Sequence, residues 1–569
     1  MSHSKEDDLS IRILHSVALL VILLSALWGR SFDLGDGMVK DPFHQGEYFS
    51  VFTTLMSGEV DFVVMSLHGA LDFLPAWLAM GLYSEDNYFI PTYFIYAVIG
   101  VFSCLLLYSI VALLSRQYRY RPVILMLVAV MACKMVGYRD VFLLLSFLLY
   151  LIGQQTTNRY LNLVVEISLG LAIGLGMFWS FDRGIVGVLA LGAGSLVLVF
   201  QNRKYLTSMF VFLLTLVVLE LLSPVSIADF YVENIKFLIE TSAQWSYGWG
   251  VRPVLLSLFL AAPTMMVLIL LAASVRYASK SQVLLGNAAA SGVLILLMYK
   301  IAINRADWDH VLMGLWAPLV GFLAVFWHGN PVPWFENIKK KIVIFLLFSL
   351  STLAVIAHDN VILIYILLAG MILTPLVSRQ RVGSGNAVAG VGGLGGLVRS
   401  LSPLQVAMLF AVLPISYNSY KVMTVGLSGG LDWLAKLQSP PLNETLVSSD
   451  VQWVVSELER TNAGCVFDLS NHGVINGVSG LPACTQFTYP VYASRYYEPK
   501  MLEALVKANP PVMIYSTTHW SFDIDGKSMY QRFPVLSAYL QKEYPDEVCK
   551  LSYCLRYREK GDYSVGADL

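Results

Sequence analysis

A succession of apolar segments, each long enough to cross a lipid bilayer, restricts the fold of this chain more than any other feature. A hydrocarbon core of about 30 Å requires roughly 20 apolar residues in a helix. We therefore expect about thirteen membrane-spanning helices. They are expected at residues 11–28, 91–114, 122–137, 141–155, 160–178, 184–200, 205–223, 254–275, 282–302, 311–327, 341–357, 360–378 and 403–420. The sequence predicts a polytopic α-helical membrane protein.

The overall composition supports this prediction. The 569 residues are 56% hydrophobic and only 14% charged, whereas soluble proteins contain about 25% charged residues. This composition excludes a soluble enzyme with a large core. The net charge of −1 indicates no particular partner, and no segment resembles a nucleic-acid-binding surface.

The distribution of lysine and arginine among the loops predicts the orientation of the helices. Basic loops face the cytoplasm, and here they read SRQYRYR, TTNR, QNRK, VRYASK, ENIKKK and SRQR. The intervening loops are acidic or mixed, and we expect them outside. Segment 11–28 lacks a small-residue cleavage site, so we expect it to remain as the first helix after a cytoplasmic N-terminus. An odd number of helices then places the C-terminus outside.

The composition changes after about residue 420, where charged residues and prolines return and no further apolar segment follows. We expect a membrane domain over residues 1–420 and a small soluble α/β domain over residues 421–569. Within the second domain, CVFDL and VMIYST are typical of short buried strands. The segments EPKMLEALVKAN and FPVLSAYLQKEY have the apolar spacing of helices.

Cysteine usage agrees with an outer location for the second domain. Four of the 6 cysteines lie in it, namely Cys465, Cys484, Cys549 and Cys554. An even set in an oxidising space favours two disulfides. We expect the pairs Cys465–Cys484 and Cys549–Cys554, because the members of each are close in sequence. Four free, buried cysteines are the alternative.

The first outer loop, residues 28–90, is a long polar stretch that simple membrane packing does not require. It reads DPFHQGEYF near its centre, where Pro42 suits the first position of a helix and Asp41 its cap. His44 and Glu47 then lie on one face of that helix. A carboxylate at Glu47 suits removal of a proton from an acceptor hydroxyl, with His44 positioning or tuning it. Simple capping explains Asp41 equally well.

The same loop continues into LHGALDFLP, which contains a second acid and a second histidine. His68 and Asp72 are four residues apart, so they share one face if the segment is helical. We expect them to contribute to substrate binding. The neighbouring apolar residues also fit an amphipathic helix that lies along the membrane surface with its polar side in water, and the sequence favours neither interpretation.

Two later outer turns each place an arginine beside an aspartate. They are GYRD, with Arg139 and Asp140, and FWSFDRGI, with Asp182 and Arg183. A guanidinium group is well suited to hold a lipid-linked phosphate, and the aromatic residues before the second pair suit sugar rings. Snorkelling of arginine to lipid headgroups and a membrane aromatic belt are the alternatives, but neither explains the ion pairs.

The turn YKIAINRADWDHVL combines several charged groups at the edge of an apolar segment. Lys300, Arg305, Asp307 and His310 lie within it. We expect Lys300 to lie in or near the apolar zone, where an unpaired lysine costs about 2.5–3.5 kcal/mol and needs an anion. A phosphate group is one candidate, and pairing with Asp140 or Asp307 is the structural alternative.

The combination of an acid after the first helix, many membrane helices and a C-terminal outer domain resembles the GT-C fold glycosyltransferases. These include protein mannosyltransferases, the aminoarabinose transferase and the bacterial oligosaccharyltransferase. DPFHQGE with HGALD, and the later RADWDH, are similar to the DxFHxGE…HG…D and RxDxxH motifs of bacterial members. The resemblance covers most of the chain in topology.

The resemblance implies transfer of a sugar from a polyprenyl-phosphate donor to a glycan, lipid or protein acceptor at the outer face of a bacterial inner membrane, with the C-terminal domain in the periplasm. It maps the catalytic carboxylate to Asp41 or Glu47, and donor-phosphate contacts to Arg139, Arg305 or His310. Some members of the class require a divalent cation such as Mg²⁺ or Mn²⁺. The first loop has no evident DxD sequence, so we assign no metal ligand.

Two other interpretations remain open. An O-antigen polymerase or ligase also acts on lipid-linked glycans outside, but such enzymes carry their large polar segment between late helices, whereas here it is C-terminal. A lipid-linked glycan transporter or flippase would place ionisable groups at mid-membrane and contain internal repeats. Here only Glu166 and Glu220 lie mid-helix as acids, and we find no clear repeat.

Overall fold

A computed structural model gives the architecture of most of the predicted segments. It describes residues 13, 15–23, 39, 42–58, 68–116, 121–202, 205–222, 226–241, 251–277, 282–304, 308–326, 432, 435–493, 497–516 and 529–558. The predicted helices at 341–357, 360–378 and 403–420 lie outside these residues. So do three of the predicted site residues, Asp41, Arg305 and Asp307.

The first half of the chain is helical. Residues 15–23 are helical. The helices that follow are α1 (Pro42–Met56), α2 (Leu74–Leu82), α3 (Phe89–Leu114), α4 (Arg121–Met135), α5 (Val141–Gln155), α6 (Arg159–Trp179), α7 (Phe181–Asn202), α8 (Leu206–Leu222), α9 (Ile227–Thr241), α10 (Val251–Tyr277), α11 (Gln282–Asn304), α12 (Trp308–Gly314) and α13 (Trp316–Phe326). A 3₁₀ turn, Tyr138–Asp140, joins α4 to α5.

Among the described residues, four helices are long and apolar enough to cross a membrane. They are α3, α6, α7 over Phe181–Val199, and α11 over Gln282–Ile303. Each lies at a position where the sequence predicts a membrane helix. The chain is therefore a membrane protein, and the expected number of about thirteen helices stays a prediction.

Small residues allow α6 to pack closely on α8. A Cβ atom at Gly170 would lie 2.5 Å from the Ser208 carbonyl oxygen, and one at Gly174 would lie 2.6 Å from Thr215 Cγ2. Two small residues four positions apart let helix backbones approach in a membrane. At the start of α6, the Asn158 side chain accepts hydrogen bonds from two backbone N–H groups and caps the helix.

One predicted membrane helix, 311–327, is wrong as a single element. The chain forms α12, which ends at Gly314, and α13, which begins at Trp316. Pro318 explains the break, because a proline inside a continuous helix removes one hydrogen bond and clashes with the carbonyl four residues before it. In the first turn of α13, its missing N–H has no intrahelical partner to lose.

The C-terminal part of the chain combines helices with a small sheet. Its helices are α14 (Ser449–Arg460), α15 (Val474–Ser479), α16 (Glu498–Ala508), α17 (Met529–Arg532) and α18 (Pro534–Glu543), and its strands are β1 (Val512–Ser516), β2 (Asp546–Lys550) and β3 (Tyr553–Tyr557). The antiparallel sheet has the order β1-β3-β2. Helices α16 and α18 and strand β1 lie where the sequence predicts them. The order of the chain, with membrane helices first and an α/β unit after them, is also the predicted one.

The predicted strand CVFDL is wrong. Only Val466 and Asp468 make isolated bridges, to Ala483 and Ile514. The Asp468 carboxylate accepts hydrogen bonds from the backbone N–H groups of Ser470 and His472. These bonds turn the chain immediately after Asp468, because an aspartate side chain competes with a strand for the backbone donors.

Both disulfides connect the cysteines that the spacing predicts. Cys465 is bonded to Cys484 with a Cα–Cα distance of 5.0 Å, and Cys549 is bonded to Cys554 with a Cα–Cα distance of 4.0 Å. The second disulfide crosses the β2–β3 pair, in which these two residues are partners. The first connects the turn before Asp468 to the segment that follows α15.

The C-terminal unit packs directly on α1. A Cβ atom on Gly473 would lie 2.2 Å from the Gly46 carbonyl oxygen, so the two glycines allow the backbones to touch. Close to this crossing, the Tyr489 hydroxyl donates to the Phe43 carbonyl at 2.6 Å, and the backbone N–H of Ala483 donates to Thr54 Oγ1 at 2.9 Å. The helix that carries Glu47 is thus held from outside the membrane half of the chain.

Candidate active site

The predicted acids, histidines and arginines of the first three outer segments meet at one end of the helical bundle. Glu47 lies in α1, and His68 and Asp72 lie in the segment before α2. Arg139 and Asp140 lie in the 3₁₀ turn between α4 and α5, and Asp182 and Arg183 lie in the first turn of α7. This is the end at which α3, α5 and α7 begin and α4 and α6 finish.

His68 is the centre of the first half of this site. Its Nε2 lies 2.6 Å from Glu47 Oε2, and its Nδ1 lies 3.2 Å from Asp72 Oδ2 and 2.8 Å from the Tyr138 hydroxyl. Glu47 and Asp72 are 3% and 4% exposed. One imidazole therefore joins two buried carboxylates, one from a helix and one from a loop.

Burial and charge act in opposite directions on these groups. For Glu47, burial raises the pKa, but the His68 imidazolium outweighs it and lowers the pKa of the carboxyl. For His68, burial lowers the pKa, but the Glu47 and Asp72 carboxylates outweigh it and raise the pKa to about 9. Burial dominates at Asp72, whose pKa is raised and whose Oδ1 has no hydrogen-bond partner among the described residues. Glu47 and His68 are an ion pair at neutral pH.

Aromatic side chains form the wall around this ion pair. Tyr48 stacks on Tyr96 with ring centroids 4.1 Å apart, and Tyr96 meets Tyr138 edge-on at 4.7 Å. The Tyr96 hydroxyl donates to the Asp72 carbonyl, and Trp179 Nε1 donates to the Tyr138 carbonyl at 3.0 Å. These contacts restrict the rotamers of the polar groups, and aromatic faces suit the apolar faces of sugar rings.

The second half of the site is an alternating chain of arginines and aspartates. Arg139 Nη2 donates to Asp182 Oδ1 at 2.7 Å, and Arg183 Nη1 donates to Asp182 Oδ2 at 2.8 Å. Arg183 Nε donates to Asp140 Oδ1 at 2.7 Å. Arg139 also donates to Ser180 Oγ at 3.2 Å. Asp182 therefore holds both arginines and fixes their spacing.

The two arginines differ in accessibility. The side chain of Arg183 is 5% exposed, whereas that of Arg139 is 27% exposed. Asp140 is 1% exposed and also accepts a hydrogen bond from the Gly137 backbone N–H at 2.7 Å. The Asp140–Arg183 pair thus stabilises the turn, and the substrate contact expected of these two residues stays a prediction. Arg139 is thus the more accessible of the two guanidinium groups.

Backbone contacts join the two halves of the site. The Phe181 backbone N–H donates to the His68 carbonyl, and the Leu71 backbone N–H donates to the Phe178 carbonyl at 2.9 Å. A Cβ atom at Gly69 would lie 2.5 Å from that same carbonyl oxygen. Glycine is required there, because it lets the His68–Asp72 segment lie against the start of α7.

The remaining predicted residues have varied positions. His44 is exposed on α1, one turn before Glu47, and contributes to lowering the pKa of Glu47. His310 is half-buried in α12, three residues before Met313, whose sulfur lies 3.9 Å from Arg183 Nη2. Lys300 lies near the end of α11, within the apolar stretch Gln282–Ile303, and is exposed on the helix surface; its contact with a phosphate group stays a prediction.

The sequence prediction missed the tyrosines of the site. Tyr138 contacts His68 and precedes Arg139, and its only local signal is its place in the GYRD turn beside two residues that we selected. Tyr48 and Tyr96 have no such signal, because a tyrosine near a membrane surface is most often part of the aromatic belt. Their involvement depends on contacts between distant segments.

Three of the described carboxylates of the site already face cationic groups. Glu47 faces His68, while Asp140 and Asp182 are bonded to arginines. A metal would have to displace these cations. In the part of the chain that the structure describes, the only cluster of three potential metal ligands combines Glu547 with the disulfide-bonded Cys549 and Cys554, far from this site in sequence. We derive no chemical step through a metal.

Comparison with known proteins gave matches among solved structures only. No protein-family model and no curated protein matches the sequence. The chain is similar to ArnT from Cupriavidus metallidurans in its apo state, with 14% identity, a TM-score of 0.42 and coverage of 97% of this chain and 98% of that chain. For the same protein bound to undecaprenyl phosphate, the identity is 13%, the TM-score is 0.45, and the match covers 96% of this chain and 97% of that chain.

A further match is the apo oligosaccharyltransferase from Archaeoglobus fulgidus. It has 11% identity and a TM-score of 0.44, and covers 88% of this chain and 69% of that chain. Identities and TM-scores this low do not transfer a residue role or a ligand to this chain. The candidate site is therefore judged on its own geometry.

Proposed function

We propose that this chain is an integral-membrane glycosyltransferase that moves a sugar from a polyprenyl-phosphate donor to an acceptor at the outer face of a bacterial inner membrane. One observation carries the proposal. The buried carboxylate Glu47 and the accessible arginine Arg139 converge on one site, and both lie close to His68 and Tyr138 at the end of an apolar helical bundle. The motif resemblance to GT-C enzymes agrees with this assignment.

The carboxylate supplies a place for the acceptor proton. As the acceptor hydroxyl bonds to the anomeric carbon of the sugar, its proton becomes acidic and passes to Glu47, which His68 keeps ionised at neutral pH. The lowered pKa makes Glu47 a weak base, so we expect it to take the proton late in the reaction. A departing phosphate is a good leaving group, which is compatible with a weak base.

The arginine supplies the compensating positive charge. When the bond between the anomeric carbon and the phosphate oxygen breaks, negative charge develops on the lipid phosphate, and the partly exposed guanidinium group of Arg139 is suited to receive it. Asp182 orients Arg139 through the 2.7 Å hydrogen bond, and Arg183 in turn holds Asp182. Such a fixed cation needs no reorganisation during the reaction.

The surroundings of the site favour a donor that stays in the bilayer. Helix α2 follows Asp72 directly and exposes Trp77, Leu78 and Leu82, which are 47%, 45% and 73% accessible. An apolar surface of this kind suits the membrane interface. A polyprenyl chain cannot leave the membrane, so an enzyme that uses it must present its reactive groups at this boundary.

The orientation completes the proposal. The basic loops place the N-terminus in the cytoplasm, so the site and residues 421–569 face the periplasm. We propose that the C-terminal unit supports α1, and that the acceptor is a cell-envelope glycan, lipid or protein. Hexose and pentose donors both fit the chemistry described.

A substitution of Glu47 tests the proposal against transport. In a strain that lacks the chain, we would express the wild type, Glu47→Gln, and the matched control Glu85→Gln, an exposed acid at the turn before α3. Mass spectrometry would follow the sugar content of the envelope and the pool of lipid-linked donor. We expect Glu47→Gln to reduce transfer about 10²–10⁴-fold and to accumulate donor on the outer face, while Glu85→Gln behaves as the wild type.

The outcome that contradicts the enzyme is equally specific. If Glu47→Gln stops the appearance of donor on the outer face but retains transfer from donor supplied there, the chain is a transporter. Unchanged transfer and unchanged donor distribution would remove Glu47 from the proposal altogether.

A further inference from the structure

A cavity with two arginines in its lining lies at the opposite end of the helices that carry the candidate active site. It has a volume of about 730 Å³ and is bounded by the end of α3, the start of α4, the end of α5 and the turn before α6. Helix α5 has 15 residues and separates Asp140 from the cavity residue Gln155. At about 1.5 Å per residue, the helix separates the two sites by roughly 22 Å.

The described lining residues of the cavity carry positive charge without a matching acid. Arg116 and Arg121 both line it, and no Asp or Glu is among its described lining residues. Arg121 Nη2 lies 3.2 Å from His15 Nε2, and His15 Nδ1 lies 2.7 Å from the Tyr108 hydroxyl. A histidine that accepts from an arginine is neutral, so it provides a hydrogen-bond acceptor for Arg121 without compensating its charge.

One buried donor has no partner. Arg121 Nε is inaccessible to water and makes no hydrogen bond to any residue that the structure describes. A buried guanidinium donor left unpaired is costly, and an arginine binds phosphate through two parallel N–H donors. Thr157 and Asn158 add polar side chains at the rim. These donors are suited to bind an oxyanion that has several acceptor oxygens.

Part of the cavity wall is apolar. Leu148 and Ile152 form part of its wall, and Leu161, which is 52% exposed, lies at its edge beside the exposed Val164 of α6. A cavity with a cationic end and an apolar wall that continues onto a membrane-facing helix fits an amphiphilic anion better than a fully hydrated one.

We propose that this cavity binds a phosphate group at the membrane end opposite the Glu47 site, and that the phosphate is the headgroup of an anionic phospholipid. Arg116 and Arg121 pair with the phosphate, and the apolar wall receives the start of the acyl chains. Free inorganic phosphate shares the chemistry of the headgroup and is the other source of the ligand. The proposal does not depend on the enzymatic activity.

The test measures thermal unfolding of the full-length protein in detergent during titration with dioleoylphosphatidylglycerol. Dioleoylphosphatidylcholine and inorganic phosphate are titrated in parallel. The variants are Arg121→Gln, Arg116→Gln, and the matched control Arg159→Gln, which removes an exposed charge at the same end of the bundle but does not line the cavity. Since Arg116 is exposed, its substitution keeps the test valid if Arg121→Gln lowers the intrinsic stability.

We expect phosphatidylglycerol to raise the unfolding temperature of the wild type and Arg159→Gln at equal concentrations. The half-maximal concentration should be about tenfold higher or more for Arg116→Gln and Arg121→Gln. A phosphate titration with the same dependence on these arginines would support the site with a soluble ligand. An equal response of all four proteins to phosphatidylglycerol, or no response of the wild type to phosphatidylglycerol or to inorganic phosphate, would overturn the proposal.

Discussion

Substitution of Gly473 by alanine is expected to reduce activity although Gly473 lies outside the membrane helices. Its Cβ atom would lie 2.2 Å from the Gly46 carbonyl oxygen, where ordinary contact begins at 3.4 Å. The backbone of Gly473 is in the right-handed helical region, with φ −57° and ψ −9°, so alanine introduces no torsional strain. The whole effect is steric, and it separates α15 from α1 by about 1 Å.

The displacement matters because Glu47 is the next residue after Gly46. Glu47 Oε2 and His68 Nε2 are 2.6 Å apart, and a shift of about 1 Å takes this pair beyond normal hydrogen-bonding distance. A misplacement of that size can reduce catalysis about 10²-fold. Overpacking of an interface typically costs about 1–3 kcal/mol in the free energy of unfolding. We therefore expect a large loss of transfer with a modest loss of stability.

The assay compares initial rates of sugar transfer in membranes with unfolding temperatures of the purified protein. Gly464→Ala is the matched control, because a Cβ atom there meets nothing within 4 Å. Gly46→Ala tests the same contact from the other side, since its Cβ atom would lie 2.5 Å from the Val474 backbone nitrogen, and it should behave like Gly473→Ala. If both variants transfer sugar at the rate of Gly464→Ala, the docking of the C-terminal unit does not position Glu47.

Three further predictions address the charges and the disulfide. Arg139→Gln should weaken donor binding at least about tenfold without unfolding the protein, whereas Arg183→Gln leaves a buried carboxylate unpaired and should lower the free energy of unfolding by about 3–5 kcal/mol. Donor titrations and thermal unfolding separate the two effects, and equal results for both variants would contradict the distinction. The raised pKa of His68 stabilises the folded state fully below pH 6.5, and that contribution is lost as the pH rises through about 9. The unfolding temperature should therefore fall over this pH range in the wild type but not in His68→Gln, and parallel plots of unfolding temperature against pH would refute the ion pair. Replacing Cys465 and Cys484 by serine opens a loop with a sequence separation of 19 and should cost about 2–5 kcal/mol, so an unchanged unfolding temperature would show that the bond does not stabilise the native state.

Local spacing made part of the site predictable. His68 and Asp72 were selected because they are four residues apart. In the structure His68 Nδ1 lies 3.2 Å from Asp72 Oδ2. The Arg–Asp pairs of the two later turns were selected because adjacent opposite charges near a membrane need a reason. Their exchange of partners was not predictable, because Arg139 bonds to Asp182 and Arg183 bonds to Asp140 across 43 residues of sequence.

Local propensity also misled the prediction at identifiable places. CVFDL has strand-forming residues, but it makes only isolated bridges, because the Asp468 carboxylate binds the backbone N–H groups of Ser470 and His472 and turns the chain directly after the segment. The segment 311–327 has the length of a membrane helix, but Pro318 divides it. In both cases a single side chain outweighs the average preference of its neighbours.

The sequence by itself determined that this chain enters a membrane and which turns carry acids, histidines and arginines. These properties follow from the number of consecutive apolar residues and from the spacing of neighbours, which are local quantities. Only the tertiary structure decided that Glu47 pairs with His68, that tyrosines surround them, and that Gly473 supports the helix beneath. Those contacts join segments far apart in the chain, and their geometry depends on how helices pack, which no local pattern encodes.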